Sequence, residues 1–90
     1  MTEHELVHRA RTGDGGAIRT LYARHAARVF TVVRRLAGDD AQAEDWAQEA
    51  WVRAIRGLPS FRGDAEFSTW LHRIAVNSAL HGRRAHERRA

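Results

Sequence analysis

Two stretches of this 90-residue chain hold side chains whose types and spacing could do chemistry. In His4-Glu5-Leu6-Val7-His8, two histidines lie one helical turn apart with a glutamate between them. That is the H-E-x-x-H pattern, in which paired imidazoles ligate zinc and the carboxylate activates water. A catalytic zinc also needs a third protein ligand and a walled cleft. Arg11 and Asp14 stand where an extended motif would place glycine and histidine, so the match is expected to be accidental. The second stretch, Phe61-Arg62-Gly63-Asp64-Ala65-Glu66-Phe67-Ser68-Thr69-Trp70-Leu71-His72-Arg73-Ile74-Ala75-Val76-Asn77, interleaves aromatics, arginines, hydroxyls and an amide. Such a mixture suits unpaired nucleobases, which offer flat faces for stacking, worth about 1–3 kcal/mol per base, and polar edges for hydrogen bonds. Neither a Ser-His-Asp nor a paired-carboxylate arrangement can be argued from spacing. Gly13-Asp14-Gly15-Gly16 lacks the lysine of a phosphate-binding loop and a preceding strand, and reads as a connection between helices.

The elements that must carry these groups are helices. Ile18, Leu21, Tyr22, His25, Val29, Val32, Val33 and Leu36 recur at three- and four-residue spacing, the stripe of one long amphipathic helix with His25 as a core or boundary residue. After a break at Gly38-Asp39-Asp40, where Asp39 with Gln42 resembles a capping box, Ala43, Trp46, Ala47, Ala50, Trp51, Ala54, Ile55 and Leu58 form a second stripe. Gly57 and Pro59 end it, Ser60 to Gly63 reads as a loop, and Asp64 is expected to cap the next helix. Phe67, Trp70, Leu71, Ile74, Ser78 and His81 make the last stripe, which runs into an arginine-rich tail over 83–90 expected to fray. Phe67, Leu71 and Ile74 read as packing, while Trp70 divides evenly between core and surface. Arg73, Asn77, His81 and Arg84, at spacings of four, four and three, line a polar stripe that is either a solvated face or a strand-binding ridge. A short helix from Glu3 to Arg11 comes first. No segment alternates with period two, so the expected fold is all-α: a small antiparallel bundle of three long helices plus the short N-terminal one.

Composition narrows the function further. With 43% apolar residues, 29% charged and no cysteine, the chain can bury one small core, held by packing, and can offer neither disulfides nor a thiolate. All 15 basic residues are arginine against 11 acids, a net charge of +4 that favours a polyanionic or acidic partner. No apolar run approaches the ~20 residues needed to span a bilayer. The N-terminus also lacks the blocks of a secretory signal, and a cytoplasmic protein without membrane contact is expected. The charge is segregated: residues 39–50 hold five acids and no arginine, residues 67–90 five arginines and one acid. Asp39, Asp40, Glu44 and Asp45 complement the dipole at a helix start. Glu49 lies deeper and joins Asp45 and Gln48 on the side away from Trp46, Ala47, Ala50 and Ala54, so the block also reads as a docking face.

Two motifs in this order resemble the region-two domain of bacterial sigma factors, most closely the extracytoplasmic-function (ECF) group, and the resemblance spans nearly the whole chain. They are Glu44-Asp45-Trp46-Ala47-Gln48-Glu49-Ala50-Trp51 with Arg53-Ala54 behind it, and Phe61-Arg62-Gly63-Asp64 leading into the segment from Phe67 to Asn77. The first resembles the helix that grips the clamp coiled coil on the largest catalytic subunit of RNA polymerase. The resemblance implies Asp45, Gln48, Glu49 and Arg53 as the polymerase contacts. The second resembles the loop and helix that capture flipped-out nontemplate bases of the promoter minus-ten element. It implies Phe61, Arg62, Asp64, Thr69, Trp70, Arg73 and Asn77 as DNA contacts, extended by His81 and Arg84 of the polar stripe. The implied protein is a non-enzymatic initiation subunit without cofactor or catalytic residue, its partners being core polymerase, promoter DNA and an anti-sigma factor.

Sigma factors of this group normally carry a second helical domain that reads the minus-thirty-five element, and a chain stopping at Arg89-Ala90 is expected to be a fragment. Glu66 is expected to repel phosphate and has no role in this reading. The competing reading is a helix-turn-helix regulator that places a recognition helix in the major groove of intact duplex. A metal-dependent hydrolase built on His4 and His8 is a third.

Overall fold

The first three helices start where a side chain satisfies free backbone N–H groups. In the computed structural model, which describes residues 1–89, the elements are α1 (Glu3–Arg11), α2 (Gly15–Arg34), α3 (Asp40–Gly57), a single 3-10 turn (Leu58–Ser60) and α4 (Phe67–Arg89). Thr2 Oγ1 accepts from the Glu5 N–H at 3.2 Å to open α1. Asp14 Oδ1 accepts from Gly16 and Ala17 at 3.0 and 3.2 Å to open α2. Gly15 and Gly16 therefore belong to the first turn of α2, and the connection shrinks to the residues around Gly13, whose φ of 93° suits a residue without Cβ. Asp39 Oδ1 accepts from Gln42 N–H at 2.8 Å while Gln42 Oε1 accepts from Gly38 N–H at 2.7 Å, a reciprocal cap close to the expected capping box. Asp39→Ala should cost about 1 kcal/mol. In a domain of this size that is a fall in Tm of about 4–8 °C, measurable by circular dichroism.

The start of α4 differs from expectation. Its first backbone bond runs from Trp70 N–H to the Glu66 carbonyl at 3.0 Å, so the cap position falls on Glu66 rather than Asp64. A carboxylate there complements the helix dipole, which supplies the role Glu66 lacked. At the other end, the stretch from Arg83 onward continues α4 through Arg89, with Arg83 Nε 3.4 Å from Glu87 Oε1 one turn on; Ala90 of that tail lies outside the described residues.

The buried stripes meet in one core. Ala17, Leu21, His25, Val29 and Val33 of α2 face Ala43, Ala47, Ala50, Trp51 and Ala54 of α3 and Phe67, Leu71, Ala75, Ser78 and Ala79 of α4. His25 is satisfied there, its Nε2 2.5 Å from Glu3 Oε1, which ties α1 to α2. Ile55, expected on the α3 stripe, is exposed. Small residues let α3 and α4 come close, and tryptophans fill the gaps they leave. Trp46 lies directly over Gly82 and Trp70 over Gly57. Position 46 thus faces 82 while 57 faces 70, an order that runs in reverse and makes the two helices antiparallel. The expected all-α antiparallel bundle is observed, with no strand among the described residues.

Candidate functional site

The acidic block lies on the outer side of α3. Asp45, Gln48 and Glu49 are all exposed, because the inner side is taken by Ala43, Ala47, Ala50 and Ala54. Arg53 is half-buried and its Nε lies 3.2 Å from Glu49 Oε1, one turn apart. An exposed pair at this spacing contributes only about 0.3–0.5 kcal/mol, so Glu49 can exchange Arg53 for another cation at small cost.

Beside this face runs a groove that the core stripe did not foretell. Tyr22, expected in the core, is 52% exposed and sits edge-on to Trp51 at 4.9 Å between centroids. With Ala26, Ala27 and Phe30 of α2, and Glu44, Ala47 and Gln48 of α3, the two rings line a groove of about 590 Å³. The signal was present in the sequence: Tyr22, Ala26 and Phe30 fall four residues apart, a second apolar stripe displaced by one position from Leu21, His25 and Val29.

The second site is built from the 61–66 loop and the outer side of α4. Gly63, at φ 80°, allows the turn that swings Arg62 and Asp64 outward. Phe61 does not go with them. It is 8% exposed, edge-on to Phe67 at 6.2 Å and tilted against Trp70 at 4.9 Å. A loop aromatic beside a helix start can bury more apolar area inward than outward, so Phe61 mainly supports Trp70 from beneath and gives the cleft only a small part of its surface. Trp70, left undecided by spacing, is half-buried: it packs over Gly57 and against Phe61 and Phe67, and part of the ring stays exposed. A cleft of about 320 Å³ lies beside it, lined by Ser60, Phe61, Arg62, Asp64, Ala65, Trp70 and Arg73. Arg62 and Asp64 are exposed on the loop, and Thr69, Arg73, Asn77, His81 and Arg84 are exposed because α4 turns Phe67, Leu71, Ala75, Ser78 and Ala79 to the core. The polar stripe is thus a continuous outward ridge leading away from the cleft.

The zinc-like pentapeptide takes a different place. His8 is exposed, and His4 with Glu3 and Val7 lines a cleft of about 650 Å³ against the 61–67 segment. Among the described residues, no three histidine, aspartate or glutamate side chains gather as a metal site. No helix among them is long and apolar enough to cross a membrane.

A family model for Sigma-70 region 2 matches residues 21–89, which leaves α1 ahead of the matched stretch. The chain is similar to the ECF RNA polymerase sigma-E factor of Escherichia coli K12, 43% identical over 79 residues, covering 88% of this chain and 41% of that protein. It is also similar to the RNA polymerase sigma-H factor of Pseudomonas aeruginosa, 40% identical over 77 residues, covering 86% of this chain and 40% of that one. It spans about two fifths of the length of these curated relatives. Among solved structures it is similar to an engineered region 2 of sigmaE in complex with GTAAAA, with TM-score 0.92 and 39% identity, covering 99% of this chain and 93% of that one. CnrH in complex with the cytosolic domain of CnrY is similar at TM-score 0.81 and 28% identity, over 91% of this chain and 53% of CnrH.

Proposed function

The chain belongs to the Sigma-70 region 2 family, and on that premise we propose that it is the part of an ECF sigma factor that docks on core RNA polymerase and captures nontemplate bases of the promoter minus-ten element. The observation that carries this is the cleft at Trp70, which sets a partly exposed indole beside Arg62, Asp64 and Arg73 at the foot of the exposed polar ridge. A base that leaves the duplex finds there a flat surface, edge partners and cations for its phosphates. Arg62, Asp64, Thr69, Trp70, Arg73 and Asn77 are the contacts, His81 and Arg84 continue the track, and Phe61 holds Trp70 in place. The likeness to an engineered region 2 of sigmaE bound to GTAAAA supports the assignment. Melting needs no nucleotide hydrolysis: trapping an extruded base offsets an unstacking cost of a few kcal/mol, and the arginines release counterions as they meet phosphate. The domain acts by binding and not by catalysis.

Asp45, Gln48, Glu49 and Arg53 are the polymerase side. A protein that silences the factor would have to cover this side or the DNA side, and the CnrH–CnrY complex supports such a partner, an anti-sigma factor. A cytoplasmic location follows from both partners.

Asn77→Ala tests the DNA side with little risk to the fold, because Asn77 is exposed. Loss of one amide contact of about 1 kcal/mol should weaken binding to a single-stranded nontemplate oligonucleotide about fivefold and leave duplex binding nearly unchanged. Equal losses on both substrates would refute base capture, and a wild-type preference for intact duplex would favour the helix-turn-helix alternative.

A further inference from the structure

The loop and α4 do not hold all the groups that could meet a strand. Where α2 passes the start of α4 lies a cleft of about 300 Å³, lined by Arg28 of α2 and by Ser68, Thr69, His72 and Arg73 of α4. Its wall is two guanidiniums, two hydroxyls and an imidazole, with no carboxylate. The cleft beside α1 carries Glu3, Asp64 and Glu66, and the α2–α3 groove carries Glu44. Among the described residues, Arg34, Arg53 and Arg83 are paired with carboxylates, whereas neither Arg28 nor Arg73 is in an ion pair. Arg28 and His72 also border the apolar seam of Val29, Val32, Leu71 and Ala75 between α2 and α4, so the wall stands on packed helices and not on a loop. Two uncommitted guanidiniums beside hydroxyl donors, in a concave surface free of negative charge, suit a phosphate dianion or diester.

A second relation says which phosphate. Arg73 lines both this cleft and the one at Trp70, so the two are neighbours with a shared wall. A strand that lodges a base against Trp70 carries its adjoining phosphodiester toward the other side of Arg73. We propose that Arg28, with Arg73, Ser68 and Thr69, binds a backbone phosphate of the unpaired strand next to the captured base, which makes α2 part of the DNA interface. The site rests on the base-capture reading given above. Nothing in the motifs of the sequence singles out Arg28; only the cleft does.

The test uses the full chain and a single-stranded oligonucleotide selected from a random pool by the wild-type protein, titrated over a range of salt. Arg28→Ala should weaken binding about thirtyfold, the effect of one charge-assisted contact about twice as strong as a neutral one. It should also lower the slope of log affinity against log salt by about 0.7, the single-strand value for one neutralised phosphate. Arg28→Lys should keep the slope. Replacing one phosphate of the oligonucleotide by a neutral methylphosphonate should abolish the difference between wild type and Arg28→Ala. Arg24→Ala, one turn earlier on α2 and outside the cleft, should change affinity by less than about twofold, as a screened surface charge does. If wild type binds but Arg28→Ala matches it in affinity and slope, or Arg24→Ala shows the same loss as Arg28→Ala, the phosphate site is overturned while base capture stands. If the wild-type chain retains no single strand, the base-capture reading falls and the phosphate site with it.

Discussion

The double variant Asp45→Arg, Glu49→Lys should lose core RNA polymerase by about two orders of magnitude while keeping its fold. Both carboxylates are exposed on α3 and neither supports the core. Removing an exposed ion pair costs only about 0.2–1 kcal/mol, but reversal converts attraction into like-charge contact, which costs several kcal/mol when two surfaces are pressed together. About 3 kcal/mol for the pair corresponds to a little over a hundredfold. Within the domain, the reversal at position 49 sets an ammonium beside Arg53 at one-turn spacing, a penalty of about 0.2–0.5 kcal/mol, so thermal melting should barely change. Pull-down with core polymerase at increasing salt measures the loss. Undiminished capture of a folded double variant would remove α3 as the docking helix.

Gly82→Val should destabilise the domain by about 2 kcal/mol. A Cβ on Gly82 would lie 2.5 Å from Nε1, 2.6 Å from Cε2 and 2.8 Å from Cδ1 of Trp46, inside contact distance of a ring that is itself packed against the core. Valine in a helix gains a few tenths of a kcal/mol over glycine, while overpacking at a tight seam costs about 1–3 kcal/mol, so the clash dominates. In a domain of about this size, the change should lower Tm by about 8–16 °C. Trp46→Ala in the same chain should be strongly non-additive with it, since the space freed by one change receives the other. A Gly82→Val protein that melts at or above the parent temperature would mean that the indole is not held where it lies.

How much of this could be seen without coordinates depends on whether a feature is local. The stripes of Leu21, Val29 and Val33, of Ala43, Ala50 and Ala54, and of Phe67, Leu71 and Ser78 are set by helical period alone, and the structure follows them. The reciprocal cap at Asp39 and Gln42 is likewise a matter of three-residue spacing. Misreadings arise where tertiary contact decides. Four residues containing three glycines look like a connection, yet Asp14 satisfies two N–H groups and lets Gly15 and Gly16 start a helix. Phe61 carries the same motif position whether it points in or out, and only the presence of Phe67 and Trp70 around it decides. Tyr22 shares the core period of α2 but stands one step off the seam, so it borders the groove. Outward placement of Asp45, Gln48 and Glu49, and of Arg73, Asn77, His81 and Arg84, follows from the same period that buries their neighbours.

Trp46 seated on Gly82 and Trp70 seated on Gly57 fasten the same two helices at opposite ends. Twin fastenings remove the freedom to swivel that a single one would leave. The surface assigned to the enzyme and the ridge assigned to the strand are therefore two sides of one jig, whose angle is cut in advance. On the proposed assignment, seating one side on its target would set the direction in which the other faces.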